Sequence, residues 1–265
     1  MFLTTSFGRM KKSRAIGFLA GAGLGLLFFG FFQIWQNGTT SIEEAAKQEY
    51  TLAENGNGSE AVAGSNIENA AKREEAEQQK DIKKIALTFD DGPHPYYTDQ
   101  LLDGLQERGV VATFFVTGEH ASLHPETIER MAEEGHLIGN HTYSHMQLTT
   151  DNEKEFKEEL VKTNEVIREI TGKEVLYVRP PYGVWNKKFE AELNMFPVLW
   201  TVDPLDWCSD NAYGIAAKVI ADTEENDIIL MHDYYATSVT AALEIVDELL
   251  KEGYTFVTVD EILFD

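Results

Sequence analysis

The stretch Val110-Val-Ala-Thr-Phe-Phe-Val116 decides the fold class of this 265-residue chain. It is almost continuously apolar and has the length of a strand, which is typical of strands buried on both faces of a parallel sheet. A second run of the same kind, Asp227-Ile-Ile-Leu-Met231, follows more than a hundred residues later. Together the two runs predict a parallel sheet that is covered on both sides.

Apolar runs of strand length alternate with helical patterns on both sides of these two stretches. Such alternation is typical of repeated βαβ units, so we expect an α/β fold, either a doubly wound sheet or a barrel one unit short of the eight-fold one. The predicted strands are Ile85–Phe89, Val110–Val116, His136–Gly139, Val175–Val178, Val198–Val202, Ile228–Met231 and Thr255–Val259. The predicted helices are Thr98–Glu107, Glu126–Glu134, Glu153–Ile170, Lys187–Leu193, Tyr213–Asp222 and Thr240–Lys251.

Residues 15–35 form an uncharged, apolar stretch that predicts a single transmembrane helix. At about 1.5 Å per residue it is long enough to cross the ~30 Å hydrocarbon layer. Basic residues precede it within residues 1–14, and none follows until Lys47, which places the N-terminus in the cytoplasm and the remainder outside the cell membrane. A cleaved signal peptide is the alternative, but the stretch ends in Phe-Phe-Gln-Ile-Trp35 without a small-residue cleavage site.

Residues 36–80 are rich in Ala, Glu, Asn, Gly and Ser and nearly lack large aliphatic side chains. Such a segment cannot bury enough apolar surface to offset its ordering entropy, so we expect a flexible linker. Residues 81–265 are then expected to form one globular domain.

Acidic residues dominate the chain, whose formal net charge is −23. Within residues 81–265, 36 acidic side chains outnumber 14 basic ones. This balance argues against a nucleic-acid partner, which would require a basic surface. The single cysteine, Cys208, excludes an intrachain disulfide.

Polar residues collect where the predicted strands end. The carboxyl ends of parallel strands meet on one side of the sheet, where active sites are built. We therefore expect residues that are far apart in sequence to converge on one cleft. They are Asp90, Asp91, His141, His145, Arg179, Asp203, Asp206 and His232.

His141 and His145 are spaced as metal ligands on one face of a helical turn, and Asp91 is a suitable third ligand. Two histidines at this spacing are also common on protein surfaces, so that interpretation stays open. Two histidines and a carboxylate also form the site of non-haem iron oxygenases, although those usually have double-sheet folds.

Five motifs, in this order, resemble those of the polysaccharide deacetylase family, also called carbohydrate esterase family four. The resemblance covers roughly residues 84–233 and implies a distorted (β/α)7-type barrel, here preceded by the predicted membrane helix and linker. The motifs are Thr88-Phe-Asp-Asp-Gly-Pro93, His141-Thr-x-x-His145, Arg179-Pro-Pro-Tyr-Gly183, Asp203-x-x-Asp206-Trp207 and Leu230-x-His232.

The resemblance implies a role for each matching residue. Asp91, His141 and His145 resemble the metal ligands, with zinc as the expected ion and cobalt or another divalent ion tolerated. Asp90 resembles the general base that activates the attacking water, and His232 resembles the general acid that protonates the leaving amine.

Five further residues resemble the supporting parts of that site. Arg179 is implied to hold the base in place, and Asp206 to hold the acid. Trp207 and Leu230 resemble the walls of the pocket for the acetyl methyl group. The backbone N–H of Tyr182 is implied to help bind the oxyanion.

These features predict a metal-dependent hydrolase that removes N-acetyl groups from a cell-envelope polysaccharide and releases acetate. A bound metal lowers the pKa of water from about 15.7 toward 7, which amide hydrolysis at neutral pH requires. The predicted membrane tether favours peptidoglycan, at its N-acetylglucosamine or N-acetylmuramic acid. Chitin-like glycans, poly-N-acetylglucosamine and acetylated xylan remain open. A non-catalytic glycan-binding protein is disfavoured because Asp90 and His232 are both present.

Overall fold

Seven parallel strands form one sheet in the computed structural model, which describes residues 82–264. The strands are β1 Lys83–Asp90, β2 Thr113–Val116, β3 Leu137–Asn140, β4 Tyr177–Val178, β5 Phe196–Pro197, β6 Ile228–His232 and β7 Tyr254–Phe256. Their order in the sheet is β5-β4-β3-β2-β1-β6, and β7 pairs with the first residues of β1, Lys83–Ile85. This confirms the predicted parallel α/β fold.

The sheet curves until the chain after β5 reaches β6. Val202 forms a β-bridge with Ile229, and the Leu230 N–H donates to the Val202 carbonyl at 2.9 Å. A curved parallel sheet of this kind fits a distorted (β/α)7-type barrel rather than an open doubly wound sheet.

The predicted fifth strand, Val198–Val202, is wrong in position. The strand that pairs with β4 is Phe196–Pro197, and Val202 alone makes a bridge, to the other side of the barrel. The chain crosses from β4 to β6 within these residues, so one continuous ladder cannot form. Thr201 and Val202 both donate their N–H groups to the Ile228 carbonyl.

All six predicted helices are present, with shifts of a few residues at their ends. The short helices Gly118–Leu123 and Val259–Leu263 were not predicted, and the second begins where the sequence predicted the end of the seventh strand. The helices are α1 Tyr97–Arg108, α2 Gly118–Leu123, α3 Pro125–Glu133, α4 Glu153–Thr171, α5 Lys188–Leu193, α6 Ala212–Asp222, α7 Ala236–Lys251 and α8 Val259–Leu263. Single 3₁₀ turns span Pro181–Gly183 and Asp206–Cys208.

Alternation along β1 separates the outer core from the inner face of the barrel. Leu87 and Phe89 belong to the large apolar cluster that includes residues of α1 and α7. Ala86 belongs to a separate cluster that includes residues of β2 and β6. Because side chains alternate along a strand, Thr88 and Asp90 lie on the same inner face as Ala86. The fold thus directs a carboxylate into the barrel end.

The segments predicted from the first 80 residues lie outside the described residues. These are the basic segment 1–14, the membrane helix 15–35 and the linker 36–80. Among residues 82–264, none of the helices combines the length and apolar character that crossing a membrane requires.

Removing one aromatic ring from the outer core is expected to lower the free energy of unfolding considerably. Phe114 is 1% exposed and stacks on Phe89 at 5.2 Å between ring centroids. We expect Phe114→Ala to lower the free energy of unfolding by about 3–5 kcal/mol, because it removes buried apolar surface and leaves a cavity. Urea unfolding followed by fluorescence measures the change. Leu123→Ala, at a site that is 63% exposed, is the control and should shift stability by less than about 0.5 kcal/mol.

Candidate active site

The polar residues singled out in the sequence, except Asp203, meet at the carboxyl ends of the strands. Asp203 instead accepts the Leu205 N–H with its carboxylate and the Lys218 ammonium with its carbonyl oxygen. Asp90 is the last residue of β1 and lies in register with His232, the last residue of β6. His141 follows β3 directly, and Arg179 follows β4. Parallel pairing therefore brings residues that are 142 positions apart in sequence to one rim.

Asp91, His141 and His145 form a group that could hold a metal ion. Their ligand atoms all lie within 4.8 Å of one another. Asp91 Oδ1 is 3.4 Å from His141 Nε2 and 3.3 Å from His145 Nε2. This buried oxygen makes no hydrogen bond within residues 82–264. Two imidazole nitrogens and an unpartnered carboxylate oxygen fit one divalent cation, with positions left for water or substrate.

The ring of His141 is oriented by the backbone of Arg179. Its Nδ1 lies 2.6 Å from the Arg179 carbonyl oxygen, which can only accept, so Nδ1 carries the proton and Nε2 is free to bind a cation. Burial raises the pKa of Asp91, but interactions with the nearby histidines, His141 foremost, outweigh burial and lower that pKa to about 2. Burial lowers the pKa of His145. The ligand group therefore favours an ionised carboxylate.

Two of the three candidate ligands have left-handed backbone conformations. Asp91 has φ 74° and His145 has φ 58°. Thr142, which follows His141 in the segment that leads to His145, has φ 62°. Such conformations are strained in residues other than glycine and persist only where neighbours impose them. Two hydrogen bonds hold Thr142 in place. The Thr142 N–H donates to the Asn140 side chain at 2.7 Å, and the Thr142 hydroxyl accepts the Met146 N–H at 2.9 Å.

Arg179 and Asp90 form an ion pair inside the barrel. Arg179 is 0% exposed, and its Nη1 donates to Asp90 Oδ1 at 2.8 Å and to the Thr88 hydroxyl at 2.6 Å. Its guanidinium also lies over the Phe115 ring at 4.2 Å. Burial lowers the pKa of Arg179, and the charge of Asp90 opposes that change. The pair fixes one oxygen of Asp90 and leaves the other facing His141, 3.8 Å away.

Asp206 holds His232 through two hydrogen bonds. The fully buried carboxylate accepts from the His232 ring Nδ1 at 2.8 Å and from its backbone N–H at 2.9 Å. Burial lowers the pKa of His232, but the hydrogen bond and charge of Asp206 outweigh it and raise that pKa to about 9. The ring is therefore held in one orientation, with Nε2 away from Asp206.

The three remaining predicted residues differ in exposure. Tyr182 is 65% exposed, has φ 60°, and its ring meets that of His145 edge to face at 5.2 Å. Trp207 is 54% exposed in the turn that carries Asp206. Leu230 is buried on β6, on the same strand face as His232. The roles assigned to all three stay predictions.

Two residues that contact this site were not predicted from the sequence. His120 is not among the predicted site residues, and its Nδ1 lies 2.7 Å from the Asp91 carbonyl oxygen. Asp233 was not singled out, although it follows His232 directly. It is 0% exposed, and its carboxylate accepts a hydrogen bond from the Thr98 hydroxyl at 2.5 Å. Burial raises the pKa of Asp233 to about 7.

Comparison with known proteins places these residues in a family context. The sequence profile of the polysaccharide deacetylase family matches residues 77–198. The chain is 43% identical over 180 residues to the peptidoglycan-N-acetylmuramic acid deacetylase PdaC of Bacillus subtilis, covering 68% of this chain and 38% of that protein. It is 37% identical over 196 residues to the peptidoglycan-N-acetylglucosamine deacetylase PgdA of Listeria monocytogenes, covering 74% of this chain and 42% of that protein.

The solved structure of the Bacillus subtilis PdaC deacetylase superimposes with a TM-score of 0.66 at 41% identity. The match covers 69% of this chain and 91% of the solved one. The chain spans about two fifths of the full length of the two curated relatives.

The buried ion pair predicts that substitutions of Arg179 and Asp90 have non-additive effects on the free energy of unfolding. Arg179→Met should lower the free energy of unfolding by about 3–5 kcal/mol, because it leaves the Asp90 carboxylate buried without its cation. Adding Asp90→Asn should restore at least about 1 kcal/mol, since the unpaired charge is then absent. Urea unfolding of the two single variants and the double variant measures the coupling. Equal and additive losses would contradict the ion pair as described.

The His232–Asp206 pair predicts a pH-dependent contribution to stability. Because the folded pKa of His232 is raised from 6.5 to about 9, its contribution is complete below pH 6.5 and is lost as pH rises to 9. In metal-stripped protein, the stability difference between wild type and Asp206→Asn should shrink by about 3 kcal/mol over that range. Urea unfolding at a series of pH values measures it, and a constant difference would contradict the pairing.

Proposed function

Because the chain belongs to the polysaccharide deacetylase family, we propose that it hydrolyses N-acetyl groups of a cell-envelope polysaccharide and releases acetate. One observation carries the proposal. A group suited to a metal ion, a carboxylate held by an arginine and a histidine held by a carboxylate share one rim of the barrel. The non-haem iron alternative loses support, because the fold is a parallel α/β sheet rather than a double sheet.

Asp91, His141 and His145 would hold one divalent cation, with zinc proposed for the borderline-soft nitrogen and oxygen donors. When bound, the ion supplies Lewis-acid chemistry that makes water a stronger nucleophile and polarises the amide carbonyl. The protein contributes the orientation of its ligands. The Arg179 carbonyl accepts from His141 Nδ1 and so orients the imidazole ring. The hydrogen bonds of Asn140 and Thr142 hold the segment that leads to His145.

Asp90 is the proposed general base. Arg179 occupies its Oδ1, and its Oδ2 faces the ligand group. Since Arg179 bonds to Oδ1, Oδ2 is the oxygen that would accept a proton from the attacking water. The same pair prevents the side chain from rotating away, which keeps the accepting oxygen aimed at the reacting centre.

His232 is the proposed general acid. Asp206 accepts the Nδ1 proton, so the proton available for transfer to the leaving amine is the one on Nε2. The carboxylate also favours the imidazolium, which an acid requires before it can donate. Acid and base thus stand on neighbouring strands, β6 and β1, at paired positions.

Three residues are proposed to bind the acetamide group. The Tyr182 backbone N–H would donate to the oxyanion, a contribution that is often worth about 2.7–4 kcal/mol. Trp207 and Leu230 would enclose the acetyl methyl group. The exposed Trp207 ring and the buried Leu230 side chain supply apolar surface near His232.

Peptidoglycan is the proposed substrate class. Support comes from the names of the relatives, one a peptidoglycan-N-acetylmuramic acid deacetylase and another a peptidoglycan-N-acetylglucosamine deacetylase. Because these relatives differ in the sugar, both N-acetylglucosamine and N-acetylmuramic acid are proposed as acceptable targets. Chitin-like oligomers, poly-N-acetylglucosamine and acetylated xylan are the competing substrates to test.

Residues 15–35 are proposed to anchor the protein in the cell membrane as a single-pass helix, with the catalytic domain outside. The support is the uncharged apolar stretch and the basic residues before it. Cell fractionation, with and without residues 1–35, tests the anchor. Protease accessibility in intact protoplasts tests the orientation, and a soluble full-length protein would contradict the proposal.

Activity should depend on the metal and on both proton-transfer residues. We expect a chelator to abolish acetate release from peptidoglycan and added zinc or cobalt to restore it. Asp90→Asn and His232→Ala should each lower kcat by about 10²–10⁴-fold, because each removes one proton transfer. Release of acetate from peptidoglycan, chitin oligomers and acetylated xylan is measured enzymatically at saturating zinc.

Asp222→Asn is the matched control for the carboxylate substitution. Asp222 is exposed at the end of α6, away from the carboxyl ends of the strands, and the variant should keep full activity. Acetate release that survives complete removal of metal would overturn the mechanism. Binding of peptidoglycan and zinc without release from any glycan would instead support a non-catalytic binding protein.

A further inference from the structure

Asp233 is a buried carboxylate for which the proposed reaction has no direct use. It lies between the end of β6 and the start of α7 and is 0% exposed. Its Oδ2 accepts from the Thr98 hydroxyl at 2.5 Å, whereas Oδ1 has no hydrogen-bond partner among the described residues. A buried polar atom without a partner costs free energy, so stability alone does not account for a carboxylate at this position.

The Asp233 carboxyl group packs directly on the turn that carries Asp91. A Cβ placed on Gly92 would overlap both carboxylate oxygens of Asp233, so only glycine fits there. Thr98 extends the contact, because its hydroxyl also accepts the His94 N–H at 2.7 Å. Asp233 thus contacts the Asp91–His94 turn at Gly92 and, through Thr98, at His94.

The turn needs such restraints because Asp91 has φ 74°, a strained conformation for a residue with a side chain. On its other side, the Thr117 N–H donates to the Gly92 carbonyl at 3.1 Å, and the His120 ring donates to the Asp91 carbonyl. These bonds hold the peptide carbonyls. The Asp233 carboxyl and Thr98 hold the opposite side of the turn, at the Gly92 Cα and the His94 N–H.

We propose that Asp233 is a positioning residue that, with Thr98, holds the Asp91–His94 turn so that the Asp91 carboxylate faces His141 and His145. The inference rests on the proposed function, because it assumes that these three side chains hold a divalent cation. It assigns Asp233 no contact with substrate and no proton transfer. Its effect is on the affinity of the site for the cation.

The test measures zinc affinity in metal-stripped full-length protein by competition with a chromophoric chelator. Asp233→Ala and Thr98→Val should each weaken zinc binding about 10–100-fold, the usual effect of removing a partner that orients a ligand. Asp233→Asn keeps the shape and an oxygen that accepts from Thr98, so it should retain most of the affinity. At saturating zinc, kcat of Thr98→Val should fall by a smaller factor than the affinity does.

Thr223→Val is the matched control. Thr223 is also buried and donates its hydroxyl, to the Val219 carbonyl at 2.7 Å, but it lies at the opposite end of the barrel. Its zinc affinity should equal that of the wild type, even where its stability is lower. Urea unfolding with chelator present measures the stability of each variant separately from metal binding.

The possible results separate the inference from the proposed function. Wild-type protein that binds no zinc would overturn both. Wild-type binding that is unchanged in Thr98→Val and Asp233→Ala, with only stability reduced, would overturn the inference and leave the proposed function intact. Where Asp233→Ala does not fold, Thr98→Val decides, because valine matches threonine in shape and removes only the hydroxyl.

Discussion

The arrangement of the site depends on one buried guanidinium. Arg179 is the largest of the side chains that are fully buried in residues 82–264, and a cation in such a place is costly unless its donors are satisfied. Its side chain donates to Thr88 and Asp90 on β1 and to the carbonyls of Val198 and Leu199 after β5. It therefore ties opposite sides of the barrel together.

The backbone of the same residue reaches the candidate metal site. The Arg179 carbonyl accepts from His141 Nδ1, so one residue orients both the proposed base and one proposed ligand. The proposed base and one proposed metal ligand thus share a single partner, which favours a precise arrangement of the two groups.

The two proposed proton-transfer residues each form an ion pair, but their partners carry opposite charges. Asp90, the proposed proton acceptor, pairs with a cation, whereas His232, the proposed donor, pairs with an anion that raises the pKa of its imidazole. Their partners, Arg179 and Asp206, are both fully buried, so solvent screens neither interaction well. Adjacent strands therefore present the proposed proton acceptor and the proposed donor at paired positions.

The sequence by itself determined the fold class and the identities of the converging residues. Apolar runs of strand length between helical patterns indicate a parallel sheet because burial on both faces demands them, and parallel strands place their carboxyl ends together. Spacing and residue type then identified Asp91, His141 and His145 as a group that the structure does bring within 4.8 Å. These signals are local, since each is carried by a few neighbouring residues.

Only the tertiary structure decided which residues support that group. His120 contacts Asp91 across 29 positions, and Asp233 reaches Thr98 across 135, so no local pattern marks either of them. The fifth strand was misplaced for the same reason. Thr201 and Val202 bond to β6 across the barrel, so they do not extend the strand that their β-propensity predicted. The physical reason is that long-range packing selects partners by position in space, which residue type and spacing do not specify.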